Sequence, residues 1–364
     1  MSGGMEMPGW LDKLGGFIER SAGFWQKLGE IESKALAGEL EGIRLDRPVY
    51  VAGIARAGTT ILLELLAGRP GVATHRYRDF PPLYTPVFWN RAFAHIYKPG
   101  TAPVERAHKD RILVTPDSPE AMEEMLWMRF FAGIHDPKVS NVLDSTTSNP
   151  AFERFYLDHL RKILLVRGGQ RYLSKANYNL TRLAYLQKLL PDARFLVVVR
   201  EPRWHIASLI KQHRLFSREE ARDPRILKHM QRVGHFEFGL DRRLLNVGDG
   251  TTAGAEALLA QGEEVRGLAR YWNSVYRFLA RQVEADPGLR AATRIVRYEA
   301  LCAEPEAELG AVFAHAALQL APGELPTLAA RLSPPAYYEP GFTAEEEAAI
   351  AEETREARGL LGYG

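Results

Sequence analysis

Cysteine is nearly absent: Cys302 is the single one in 364 residues. A disulfide framework within the chain is excluded, which suits a reducing compartment. At its apolar position the thiol reads as a small buried hydrophobe rather than a nucleophile. Long apolar runs are missing too, since none approaches the roughly 18 residues that span a bilayer. The N-terminal stretch "GWLDKLGGFIERSAGFWQKLGEIE" mixes charge with apolar residues and carries no secretory pattern. The expected location is therefore cytoplasmic. Neither sign of charge dominates, with 47 Lys and Arg against 45 Asp and Glu and a net charge of +2. No broad basic field calls for nucleic acid, and any anionic ligand must be met by local cations.

What is present is ordinary soluble-protein composition, 46% hydrophobic and 25% charged, with ample length for a buried core. The N-terminal stretch has helical periodicity, with Leu11, Leu14, Phe17, Ile18 and Phe24 at three- and four-residue steps. Docking on the protein's own core is the favoured reading of that face, with peripheral membrane contact or a partner as alternatives. "RPVYVAG" reads as a buried strand stopped by Gly53, and "TTILLELLAG" as the helix after it. "GVATHRY" suggests a second short strand, and "PEAMEEMLWMRFF" a helix. Asn149 or Ser148 is placed to cap a helix starting near Pro150. "YLSKANYN" and "PDARFLVVVREP" read as strands, and "TRIVRYEAL" as the last one. Residues from about 217 to 290 read as mostly helical, and "EEEAAIAEETREARGLL" as a charged surface helix. Continuous apolar strands alternating with helices predict an α/β fold, a central parallel sheet flanked by helices in three layers. The expected division is an N-terminal helical extension over 1–44 and one α/β domain over 45–364 with a helical insert at 217–290.

Ligands on such sheets sit at the carboxyl ends of strands, and two loops there stand out. Gly53-Ile54-Ala55-Arg56-Ala57-Gly58-Thr59-Thr60 has the glycine spacing of a phosphate-gripping P-loop. Its backbone N–H groups and the helix start behind it can cradle a phosphate. Thr59, however, stands where an ATP-binding loop carries lysine, and "FLVVV" ends in Arg200 rather than an aspartate for magnesium. Charge comes instead from Arg56. The second loop offers Arg200 and, eight residues on, Ser208; a guanidinium fork and a hydroxyl suit an isolated phosphate. Alone, each loop reads equally as a glycine turn with a threonine cap, or as an arginine paired with Glu201. Together they suit a nucleotide phosphorylated on both its 5′ and 3′ sides, which describes 3′-phosphoadenosine 5′-phosphosulfate (PAPS).

The chain resembles the sulfotransferases, in their bacterial and protein-tyrosine branch, which implies a P-loop-like fold. "AGIARAGTT" is similar to their 5′-phosphosulfate loop and "VVVREPRWHIASLI" to their 3′-phosphate motif. "YLSKANYNLTRLAYLQKLLPDARF" and "RIVRYEALCAEPEAELGAVF" resemble flanking segments, so the likeness covers about 45–330 in outline. Ala55 and Ala57 depart from the usual Pro and Ser, which costs one hydroxyl contact and leaves the backbone cradle. The resemblance implies transfer of a sulfuryl group from PAPS to a hydroxyl or amine by in-line displacement, without a metal. It implies that Arg56, Ala57, Gly58, Thr59 and Thr60 hold the 5′ side, that Arg200 and Ser208 hold the 3′-phosphate, and that Tyr298 approaches the nucleotide. Lys175 matches the strand-end lysine that meets the bridging or sulfuryl oxygen.

A general base must reach the acceptor hydroxyl. By position the candidates are Asp79 and His75 in "ATHRYRDFPP", Asp79 being favoured. Tyr84, Phe88, Trp89 and Phe93 read either as core or as an acceptor wall. The acceptor is expected to be a small molecule, carbohydrate or lipid, and the oligomeric state is open. His205, His213 and Arg214 lack the spacing of a metal site. The alternatives are a P-loop kinase or other nucleotide phosphotransferase, and a non-catalytic nucleotide-binding protein.

Overall fold

The computed structural model describes residues 7–93, 102–106, 108, 113–334 and 339–364. Its strands, in chain order, are β1 (Val49–Ala52), β2 (Val72–Ala73), β3 (Val104–Glu105), β4 (Leu113–Val114), β5 (Arg171–Lys175), β6 (Arg194–Val199) and β7 (Thr293–Arg297). Five of them form one parallel sheet in the order β2-β5-β1-β6-β7, while β3 and β4 make a separate antiparallel ribbon. Val49 lies opposite Leu173 on one side and Arg194 on the other. β1 is thus the point where the strand order reverses, and a crevice opens at the carboxyl ends there.

The apolar alternation along β1 and β6 divides their side chains between two cores. Tyr50, Ala52, Phe195, Val197 and Val199 join one cluster, Val49, Val51, Leu196 and Val198 the other. The second cluster is closed by the helices Thr59–Ala67 and Pro305–His315 through Leu62, Leu66, Leu309 and Phe313. The first is closed by Pro150–Arg167, Pro202–Arg222 and Glu264–Ala285, through side chains such as Phe152, Ile206 and Trp272. The sheet is therefore covered on both faces, as the α/β expectation requires. Asn149 caps Pro150–Arg167 by accepting from the Phe152 N–H at 3.1 Å.

Four details differ from the sequence reading. The helix expected from "PEAMEEMLWMRFF" is confined to Glu124–Phe130, because Pro119 instead pairs with Arg76 as an extended bridge. Helix Pro202–Arg222 runs through position 217 unbroken, and Glu264–Ala285 packs on the sheet, so the helical region about 217–290 is built into the covering layer. The C-terminal helix Ala344–Leu360 is charged outside, yet it buries Ile350, Thr354 and Ala357. Its Glu353 meets Arg266 and Arg270, and its Glu356 meets Arg277. The N-terminal region forms Gly9–Arg20, Ala22–Ala35 and Ala37–Glu41. Leu11, Leu14 and Ile18 dock on the core as expected, but Phe17 and Phe24 stay exposed.

One buried charge cluster ties the helical layer together. Arg182 is fully buried and donates to both oxygens of Glu124, at 2.7 and 3.0 Å, over the Trp127 ring. His135 completes the set at 2.6 Å from Glu124. Burial alone would raise the Glu124 carboxyl, but Arg182 and His135 hold it below the usual range. Removing one partner of such a pair strands the other in an apolar interior. Arg182→Met is expected to lower the unfolding free energy by about 3–5 kcal/mol, read as a drop in the denaturation midpoint at unchanged slope.

Candidate active site

The loop after β1 is shaped by two close approaches. A Cβ on Gly53 would sit 2.5 Å from the Val198 carbonyl oxygen, and one on Gly58 would sit 2.5 Å from the Tyr298 ring. Both glycines also have positive φ, and between them Arg56 is held at φ 76°, a left-handed conformation unusual for a side-chain-bearing residue. Such a residue stores strain of order 1–3 kcal/mol and persists only where its surroundings hold it. Those surroundings are specific. Tyr276 Oη accepts from the Ile54 N–H and donates to the Val198 carbonyl, each at 3.2 Å. His205 Nδ1 accepts from Trp272 at 3.2 Å, so its Nε2–H donates to the Ala55 carbonyl at 2.8 Å. Burial pushes the His205 imidazole down to about 3, which keeps it neutral in this tautomer. Arg200 Nη1 donates to the Arg56 carbonyl at 3.2 Å.

Gly58 is the N-cap of Thr59–Ala67, and no side chain caps it. The N–H groups of that first turn have no acceptor within the helix. The structure brings the two phosphate motifs into direct contact, where the sequence suggested two separate pockets. Arg56 Nε donates to Ser208 Oγ at 3.3 Å. Arg200 lies over the Tyr298 ring at 5.5 Å. The result is one continuous ledge of donors across the ends of β1, β6 and β7.

Arg200 carries the observation that points to a ligand. It is 5% exposed, and its Nη2 is buried with no hydrogen-bond partner among the described residues. A buried guanidinium donor left unsatisfied is costly, and an anionic oxygen at this ledge would satisfy it. A nucleotide phosphate therefore fits the residues present. Lys175, at the end of β5, is half-buried. Burial lowers its ammonium; Glu120 and Glu237 raise it in part, and Arg106 and Arg56 lower it again. These four groups are thus its electrostatic neighbours. Arg106, not singled out by the sequence reading, donates to Thr60 Oγ1 at 3.3 Å. It follows the β3 ribbon strand, too short to have been legible.

The two expected bases are placed differently. Asp79 is 1% exposed, and both its oxygens accept from Arg167 Nη2, at 2.5 and 2.6 Å. Asn90 and the Arg76 N–H take further positions on the same carboxylate. Burial would raise its carboxyl, yet Arg167 holds it below its ordinary 3.8. His75 is equally buried, with Nε2 2.8 Å from His159 and Nδ1 3.3 Å from Tyr172 Oη. Burial pushes it down to about 4. Neither group is brought to the ledge; both are committed to partners in the interior. Tyr84 is core, Trp89 donates to the Arg78 carbonyl at 2.9 Å, and the Phe93 side chain lies outside the described residues. Cys302 is half-buried, and burial raises its thiol, which leaves it a poor nucleophile.

A ledge of anion donors at the switch point of a parallel sheet, cationic through arginine rather than a P-loop lysine, suits the binding of an anionic group. The sulfotransferase family model matches residues 48–244, more than half of the chain, and the chain belongs to that family. It is an enzyme of sulfuryl transfer. Among solved structures it is similar to the sulfotransferase STF1 from Mycobacterium tuberculosis H37Rv, with 17% identity, 94% of this chain and 86% of that chain covered, and a TM-score of 0.48. It is similar also to the sulfotransferase STF9 from Mycobacterium avium, with 14% identity, 90% and 80% covered, and a TM-score of 0.49. A sulfotransferase from Alicyclobacillus acidocaldarius follows at 14% identity, 88% and 98% covered, and a TM-score of 0.39. No curated protein matches the chain by sequence. No helix among the described residues is long and apolar enough to cross a membrane.

The Asp79–Arg167 pair gives a pH signature. The folded carboxyl is held below its unfolded value, so its contribution is complete above about pH 4 and lost as pH falls through the lower folded value. Asp79→Asn is expected to destabilise the protein by about 3–5 kcal/mol at neutral pH. Its stability gap to wild type is expected to close as denaturation is followed below pH 4.

Proposed function

We propose that this sulfotransferase takes PAPS as its donor. Arg56 and the N–H groups of Gly58, Thr59 and Thr60 would hold the 5′ side, Ala57 closing the turn through its N–H to the Ile54 carbonyl at 3.1 Å, and Arg200 with Ser208 would hold the 3′-phosphate, Tyr298 backing both. The unsatisfied buried Nη2 of Arg200 is the observation that carries this reading. When bound, PAPS supplies the sulfuryl group and a bridging oxygen on which negative charge collects. Fixed donors at that oxygen accelerate departure, and this chain offers Arg56, Lys175 and the first-turn N–H groups for it. The charge needed is carried by side chains and backbone, so the reading requires no metal. Adenosine 3′,5′-bisphosphate is expected to raise the melting temperature, and ATP with magnesium is not. Arg200→Met is expected to abolish that rise; a rise with ATP·Mg that Arg200→Met leaves unchanged would favour phosphotransfer instead.

For the general base we assign Glu120. Two carboxylates neighbour Lys175. Glu237 is ion-paired to His235 at 2.8 Å and accepts from Asn177 at 2.6 Å, and its carboxyl is held down to about 2: burial opposes this, but His235 prevails. So weak a base is ill suited to proton removal. Glu120 forms no ion pair among the described residues, and its carboxylate accepts one hydrogen bond there, from the Ala121 N–H at 2.6 Å. Its backbone N–H donates to the His75 carbonyl at 3.1 Å, which makes His75 and Asp79 scaffolding for the segment that carries the base. Glu120→Gln is expected to lower kcat by about 10²–10⁴-fold while leaving adenosine 3′,5′-bisphosphate binding intact, assayed by the mass gained on a hydroxyl acceptor. An unchanged kcat would return the role to Asp79 or His75. The acceptor, expected to be a small molecule, carbohydrate or lipid, is a matter for the loops around this base rather than for the fold.

A further inference from the structure

The two N-terminal helices, Gly9–Arg20 and Ala22–Ala35, dock by one face and leave the opposite face bare. On that bare face Trp10, Phe17, Phe24 and Ile31 are 59%, 52%, 60% and 55% exposed. They recur every seven residues. Three residues after each comes an exposed cation: Lys13, Arg20, Lys27 and Lys34. A seven-residue step drifts by only about 20° around a helix, and the break at Ser21 divides the row into two short helices. Apolar and basic groups therefore alternate along the outward face of each helix, from Trp10 to Arg20 on the first and from Phe24 to Lys34 on the second.

The acids of the same segment are directed elsewhere. Asp12 and Glu19 both pair with Arg232 of the helix Pro224–Val233. Glu32 is buried with Lys162 at 3.1 Å, and its other oxygen accepts from the Phe88 N–H. Glu19, though held by Arg232, and Glu30, accepting from Gln26, are the acids that remain exposed beside the stripe. None of the four cations forms an ion pair among the described residues. The docked side has consumed the negative charge, and the outward side presents positive charge around bulky apolar groups.

We infer that this stripe seats the enzyme on an anionic bilayer surface, with Trp10, Phe17, Phe24 and Ile31 in the headgroup boundary and the four cations on lipid phosphates and carboxylates. Interfacial helices bind by apolar area together with attraction to anionic lipid. Trp10 suits the boundary because its ring is apolar while its indole N–H tolerates water, and Phe17, Phe24 and Ile31 add apolar area. A second copy of the chain is the poorer occupant: a self-complementary helix pair would set four cations against their own image with two exposed acids, Glu19 and Glu30, to answer them. The inference is independent of the donor and of the base assigned above.

The test is co-sedimentation of the full chain with phosphatidylcholine vesicles, with and without about a third phosphatidylserine. Pelleting is expected with the anionic vesicles alone, and release in about 1 M salt, where screening shortens to ~3 Å. Combining Lys13→Gln, Arg20→Gln, Lys27→Gln and Lys34→Gln is expected to weaken partitioning by at least about tenfold. The pair Phe17→Ser and Phe24→Ser is expected to do likewise. Lys27→Gln with Lys34→Gln, which leaves every apolar contact in place, is expected to give an intermediate loss. A chain that stays in the supernatant with anionic vesicles overturns the inference. So does equal pelleting with both vesicle types, or a dimer by light scattering that Phe17→Ser with Phe24→Ser separates.

Discussion

The site depends on the loop after β1 being held from behind. Its carbonyls at Ala55 and Arg56 are taken by His205 and Arg200, and its Ile54 N–H by Tyr276. A glycine-rich turn left to itself samples many shapes. Here its inward polar groups are satisfied by side chains from the layer beneath, so the free N–H groups of the following first turn face the crevice. The left-handed Arg56 follows from the same arrangement: its carbonyl points back to Arg200 while its guanidinium swings forward to Ser208. Preorganisation of this kind lets a site meet developing charge without rearranging.

The same residues explain why the two phosphate motifs act as one unit. Arg200 touches the first loop with one nitrogen and keeps another free, with the Tyr298 ring beneath. Tyr298 in turn packs where a Cβ at Gly58 would lie. Three strand ends are thereby locked in register by contacts among four residues. Around them, buried ion pairs such as Asp79–Arg167 and Arg182–Glu124 hold the segments that approach from the other side.

Much of this was legible in the sequence, for identifiable reasons. β1 and β6 are continuous apolar runs, and the turn chemistry at Gly53, Gly58 and Pro202 punctuates them. The P-loop spacing, the missing lysine, Arg200 and Ser208 are local patterns, and local patterns survive in one dimension. What escaped was set by long-range partners. Asp79 looked like a base because nothing in its neighbourhood of the chain announces Arg167, 88 residues away. Glu120 was hidden inside an apparent helical run, and the bridge of Pro119 to Arg76 with backbone bonds to His75, Tyr77 and Arg78 holds that stretch extended. Arg106 follows a two-residue strand that carries no periodicity. The N-terminal periodicity was read as core-facing because an apolar side chain states its affinity but not its neighbour.

Tyr276 and Trp272 lie on a helix that the ribosome delivers long after Gly53 to Thr60 have left the exit tunnel, and Tyr298 comes later still. Until then the loop has its glycines, and Arg200 and His205 for its carbonyls, but neither the Tyr276 hydroxyl that takes its Ile54 N–H nor the Trp272 that orients His205. Contacts so far apart along the chain form late. Affinity for an anionic ligand therefore matures near the end of synthesis, and a fragment ending before residue 270 would hold the whole phosphate signature and still lack its grip.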